Sequence, residues 1–110
     1  QVMQNALNVQ IAYNALATSY RPSLLSYAAD VTKDSTRRDQ ASSSAAAALQ
    51  IINTTNTTIP ILNIYISDLN NPSTSQSRIN QILSAYAQMS FYTQNDMNAS
   101  QTAWDTVLRP

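Results

Sequence analysis

The chain of 110 residues contains no glutamate, histidine, cysteine or glycine, and lysine occurs once. Each absence excludes something. Without His, Glu and Cys, the usual sources of general acid/base, nucleophilic and metal chemistry are gone, leaving six Asp, six Tyr and hydroxyl groups. Without Cys no disulfide framework can hold the fold, so packing must hold it. Without Gly, strand-rich folds lose the usual residue of their hairpin turns and helices lose their commonest C-terminal cap, which favours helices ended by Asn or Pro. No apolar run approaches the ~20 residues of a membrane-spanning helix, and no signal peptide is recognisable. The expectation is a non-enzymatic protein with no cofactor, no metal and no small-molecule substrate.

What is present is polar without being charged. Ser, Thr, Asn and Gln fill 46 positions, while the apolar fraction of 44% is enough for one folded domain over 1–110. Asp30, Asp34, Asp39, Asp68, Asp96 and Asp105 balance Arg21, Lys33, Arg37, Arg38, Arg78 and Arg109 to a net charge of zero, with no polyanion-binding signature. Amides and hydroxyls keep their hydrogen bonds at any pH. In strong acid the carboxylates would protonate, leave about +6 and break few ion pairs, so the surface reads as acid-tolerant. An extracellular or virion-exposed protein of an acidophilic system fits this pattern, as does a Ser/Thr/Asn/Gln-rich secreted protein of any organism. The pattern is already helical at Gln1 and stops at Pro110 without a tail, as though flanking segments had been removed.

Hydrophobic spacing gives the fold class. Val2, Ala6, Val9, Tyr13, Leu16 and Tyr20 alternate steps of four and three, with Met3, Leu7 and Ile11 widening the stripe of an amphipathic helix. Pro22 stands where a second helix could begin or where one longer helix could kink. Leu24, Leu25, Tyr27, Ala28 and Val31, then Ala45, Ala48, Leu49 and Ile52, continue a helix from Ser23, with Asp30–Lys33 and Asp34–Arg38 as weak surface pairs. The small residues Ser42 to Ala48 would let a neighbouring helix approach closely. Asn53 to Thr58 predicts a loop or frayed end, since Asn and Thr are poor in helix interiors. A short buried helix of roughly three turns follows from Pro60, closed by the turn Asn70-Asn71-Pro72-Ser73 with Asn71 or Ser73 as N-cap. Ile79, Leu83, Tyr86, Met89, Thr93, Met97, Ser100, Trp104 and Leu108 predict one last helix over Ser75–Leu108. The sum is an all-α protein, an antiparallel four-helix bundle with two long and two shorter helices.

Few residues stand out as a site. Asp30, Asp34 and Asp39 are interleaved with Lys33, Arg37 and Arg38 and read as a solvated face rather than a cation site. Arg37 and Arg38 are a candidate interaction surface toward a phosphate backbone, a weak signal without a basic stripe. Tyr13, Tyr20 and Tyr27 are seven apart and line one seam, where core packing is the expectation. Phe91 and Tyr92 fall off the last helix's stripe, so at least one is expected to face outward as a contact for self-association or a partner. Asn53, Asn56 and Asn98 head N-glycosylation acceptor patterns, which matter only in a glycosylating compartment.

The glycine-free helices, the stretches Ile61-Leu62-Asn63-Ile64-Tyr65-Ile66 and Asn70-Asn71-Pro72-Ser73-Thr74-Ser75, and the acid-tolerant charge usage resemble coat-type structural proteins of archaeal viruses, such as the two-tailed spindle-shaped virus of Acidianus. The likeness is one of style over the whole chain and rests on no motif. It implies a virion component that packs against copies of itself and other virion proteins, beside nucleic acid or a lipid layer. The scarcity of Lys and Glu ion pairs departs from the habit of proteins from hot habitats. Two alternatives belong to other classes: a secreted helical lipid- or surface-binding protein, and the extracellular four-helix sensor domain of a membrane receptor.

Overall fold

In the computed structural model, which describes residues 2–109, the first helical stripe runs without a stop to Ala29, giving α1 (Val2–Ala29). Pro22 therefore does not start a new helix. It lacks the N–H that would bond the Thr18 carbonyl, a loss that costs ~3 kcal/mol or more in a helix interior. Both residues are exposed, so water can take the missing donor's place. The expected helical start at Gln1 and end at Pro110 lie outside the described residues.

The stretch read as a helical surface at Asp30–Asp34 is instead a turn, held where the Asp30 carboxylate accepts from the backbone N–H and hydroxyl of Thr32 at 3.0 and 2.6 Å. The expected pairs Asp30–Lys33 and Asp34–Arg38 do not form. Asp34 becomes the N-cap of α2 (Ser35–Asn70), accepting from the Arg37 backbone N–H, and Lys33 lies over the Tyr27 ring.

The 36-residue α2 passes straight through Asn53–Thr58, which is a correction to the expected loop. The cause is local. Thr55 donates to the Ile51 carbonyl at 2.8 Å, Thr57 to Asn53 at 3.2 Å and Thr58 to Thr55 at 3.4 Å, so the hydroxyls bond back along the helix rather than competing with it. Pro60 is tolerated as Pro22 is, with its partner Asn56 exposed.

Asn71 ends α2 as its C-cap, and Ser75, rather than Asn71 or Ser73, is the N-cap of α3 (Gln76–Gln88). The single long helix expected over Ser75–Leu108 is broken. Met89 turns extended after α3, and a capping box between Thr93 and Asp96 starts α4 (Gln94–Leu108). The opened backbone is satisfied from outside: Gln10 Nε2 donates to the Tyr92 carbonyl at 3.0 Å. No described residue has positive φ, so every helix ends on an extended or otherwise right-handed residue and the missing glycine is not needed.

All four elements are α-helices, with no strand among the described residues. The long ones are α1 and α2. Contacts fix their directions: Ala28 meets Arg38 and Asn14 meets Thr55, whereas Tyr13 meets Ser100 and Tyr20 meets Asp105. Thus α1 and α2 run oppositely, and α1 and α4 run the same way. α3 and α4 follow each other along α2, through Asp68–Arg78 at one end and Arg37–Val107 at the other. The result is a rod of three columns, 61 × 19 × 19 Å.

Its core has two apolar parts. The larger joins Tyr13, Ala17, Leu24, Ala41, Ala45, Ala48, Ile51, Trp104 and Val107. The smaller joins Met3, Leu7, Leu62 and Ile82. The run of alanines lets α1 and α4 approach α2 closely, as their size predicts. Between the two clusters lie the fully buried Gln10 and Thr55, a polar layer in which Asn14 Nδ2 donates to Thr55 Oγ1 at 2.8 Å and to Asn56 Oδ1 at 3.0 Å.

Candidate interaction surface

The four residues singled out from the sequence are placed in three different environments. The Arg37 guanidinium donates to the carbonyls of Thr106 and Val107, the latter at 2.9 Å, and so closes the C-terminal end of α4. The Arg38 Nε donates to the Ala28 carbonyl at 3.1 Å and closes α1. A helix C-terminus carries partial negative charge and unpaired carbonyls, which a guanidinium satisfies on both counts. The two arginines are neighbours in sequence but serve separate helices, and they form no shared basic patch.

Phe91 and Tyr92 sit in the break between α3 and α4 and are half-buried. Phe91 stacks at 5.2 Å on Tyr86, and Tyr92 meets Tyr13 edge-on at 4.8 Å. With Thr54 and Ser90 they line a small cavity of about 260 Å³. Sequence spacing placed them off the stripe; what it missed was that the helix itself stops there. Tyr13, Tyr20 and Tyr27 do share one seam of α1, packed against or within the larger core.

The aspartates have structural work. Asp30 shapes a turn, Asp34 caps α2, Asp96 accepts from the Thr93 backbone N–H in the capping box of α4, Asp68 pairs with Arg78 at 2.9 Å, and Asp105 accepts from the Tyr20 hydroxyl at 2.6 Å. The hydrogen bond to Asp105 raises the Tyr20 pKa, and burial raises that of Tyr13. Hydrogen bonds from Thr32 lower that of Asp30. Asp39 lies exposed in a shallow depression lined by Ser43, Ser44, Ala103 and Val107. No group of three or more metal-ligating side chains comes together among the described residues. Asn53, Asn56 and Asn98 are all exposed but lie within helices.

One surface was not legible as a site from the sequence. Ile11, Pro22 and Leu25 on α1 and Leu49, Pro60 and Ile64 on α2 remain exposed, on the flanks of the α1–α2 hairpin turned away from α4. The chain carries no charged side chain from Val2 to Tyr20 or from Gln40 to Ser67. The signal was present as a second stripe behind the core stripe, recognisable only once the helices' neighbours are known.

Set against protein-family models, curated proteins and solved structures, the chain matches none. No described helix is long and apolar enough to cross a membrane.

Proposed function

We propose that the protein is a non-catalytic structural subunit that works by packing helical surface against copies of itself, in a virion. The virion setting comes from the compositional resemblance to coat-type proteins of archaeal viruses. The self-packing is carried by one observation: the charged side chains are largely spent on helix ends, a turn and the one ion pair among the described residues, while a long charge-poor, partly apolar face is left open. Such a division suits a building block. Charges fix the subunit's own shape, and the remaining surface offers area and uncharged hydrogen-bonding groups to a partner. In this reading the fold is an antiparallel bundle whose two long helices carry the assembly surface.

The test is mass against concentration, by light scattering, at neutral pH and below the carboxylate range. Assembly that grows with concentration under both conditions supports the reading. A strictly monomeric chain under both overturns it.

A further inference from the structure

The α1–α2 hairpin is covered by the third column on one side only. Around α1, Tyr13 and Tyr20 face α4 and Asn14 faces α2; the helical turn puts Ile11, Pro22 and Leu25 beyond Asn14, on the uncovered side. Around α2, Leu49, Pro60 and Ile64 lie in the corresponding position beyond Asn56. Ile11, Leu25, Leu49 and Ile64 are 48%, 43%, 39% and 55% exposed, and they are four of the seven large apolar side chains left exposed among the described residues. They are also evenly placed. The Ala28–Arg38 and Asn14–Thr55 contacts set a register in which Leu49 is level with Thr18 and Ile64 with Met3. Taken along the rod, Leu25, Leu49, Ile11 and Ile64 then form a row with a step of roughly 10 Å, seven residues of helix.

The row says what fits it. A face whose α1 side carries one half-buried guanidinium, Arg21, and no acid offers a basic partner nothing to pair with and an anionic headgroup little, and its amides Asn8, Asn53 and Asn56 would be costly against hydrocarbon. A copy of the same face brings little like charge, only its own Arg21, presents the same spacing, and supplies amide donors and acceptors to those amides. Area agrees. α1, at 28 residues, is about 42 Å long, and over a molecule 19 Å wide this makes about 800 Å² per copy, what a stable interface takes from each partner.

We propose that this face docks on the same face of a second copy about a twofold axis, the row of one copy seated between the rungs of the other. The two hairpins then form a four-helix layer with one α3–α4 column on each outer side. This rests on the self-association reading and names the surface that performs it.

Light scattering of the full chain, the Leu49→Lys/Ile64→Lys double variant and a Thr102→Lys control on the outer side of α4 tests it. The wild type and the control should dimerise alike, and the double variant should raise the dissociation constant about a hundredfold or more with its helical signal and melting temperature retained. If the lysines unfold the chain, the Leu49→Gln/Ile64→Gln pair replaces them and should weaken the dimer in the same direction. A wild type that dimerises together with a folded face variant of undiminished affinity overturns this surface and leaves self-association standing. A wild type that stays monomeric overturns both, whether or not it binds phosphatidylcholine vesicles.

Discussion

The guanidinium of Arg37, in the first turn of α2, donates to the carbonyl oxygen of Val107 at 2.9 Å, in the last turn of α4. One side chain thus ties the beginning of one helix to the end of another 70 residues away. Arg37→Ala leaves the final carbonyls of α4 to solvent and is expected to cost about 1–2 kcal/mol, the range for a hydrogen bond with a charged donor at a partly exposed site. Arg37→Lys should recover only part of this, since it cannot reproduce the guanidinium fork. Urea denaturation measures both, and an alanine variant as stable as the wild type would contradict the cap.

Asn14 is the polar clasp between the long helices. It donates to Thr55 and Asn56 across the α1–α2 seam beside the fully buried Thr55. Asn14→Ala should cost about 1–2 kcal/mol. In a double-mutant cycle with Thr55→Ala the coupling should be on the order of 1 kcal/mol, because the two groups share one bond. Additive losses would mean that the bond contributes nothing of its own.

Pro22 and Pro60 each interrupt a helix whose neighbouring turns are intact. Restoring the N–H should therefore stabilise. Pro22→Ala and Pro60→Ala are each expected to add about 1–2 kcal/mol, less than the ~3 kcal/mol of an interior proline because alanine also frees the unfolded chain. Denaturation midpoints at low protein concentration, where any assembly is dissolved, decide it; a loss of stability in either variant would show that the proline is structurally required.

The acid response is less flat than composition implies. Asp30 has a lowered pKa through its hydrogen bonds from the Thr32 side chain and backbone. Its contribution is present above the ordinary value of 3.8 and is lost as pH falls through the lower folded value. Thr32→Ala should move the Asp30 titration back toward 3.8, as followed by carboxyl NMR. At the other extreme, Tyr20 and Tyr13 have raised pKa values, through the Asp105 hydrogen bond and through burial respectively. Their contribution is complete below 10.0 and is lost as pH rises through the raised folded values. Tyr20→Phe should flatten the alkaline loss in urea unfolding followed from neutral pH upward; an unchanged slope would remove Tyr20 from the account.

How much of this was readable beforehand varied with the kind of information. Apolar spacing and the missing glycine sufficed for an all-helical fold, and the small size of Ala41, Ala45 and Ala48 sufficed for a close helix seam. Boundaries were not readable where propensity and context conflict. Thr55 and Thr58 prefer helix ends on their own, yet their hydroxyls bond back to carbonyls once α2 is packed. Met89 and Thr93 keep the helical period, yet the capping box at Thr93 and Asp96 and the contact of Tyr92 with Tyr13 make a stop more favourable than continuation. Arg37 and Arg38 looked free because the carbonyls they cap come from helices distant in sequence or direction. The open face was invisible for the same reason: a second stripe becomes a surface only when the third column is known to lie on the other side.

The parallel course of α1 and α4 has a mechanical consequence. Met3 and Leu7 lie beside Leu62 and Ile82, while Tyr20 and Arg37 lie beside the end of α4, so Val2 and Arg109 stand at opposite ends of the rod. Tension applied between them would pull α1 and α4 lengthwise past α2. Every contact along both seams would then be loaded together, in shear, rather than one after another as when a hairpin is peeled from its open end. Under stretch the molecule behaves as a strut.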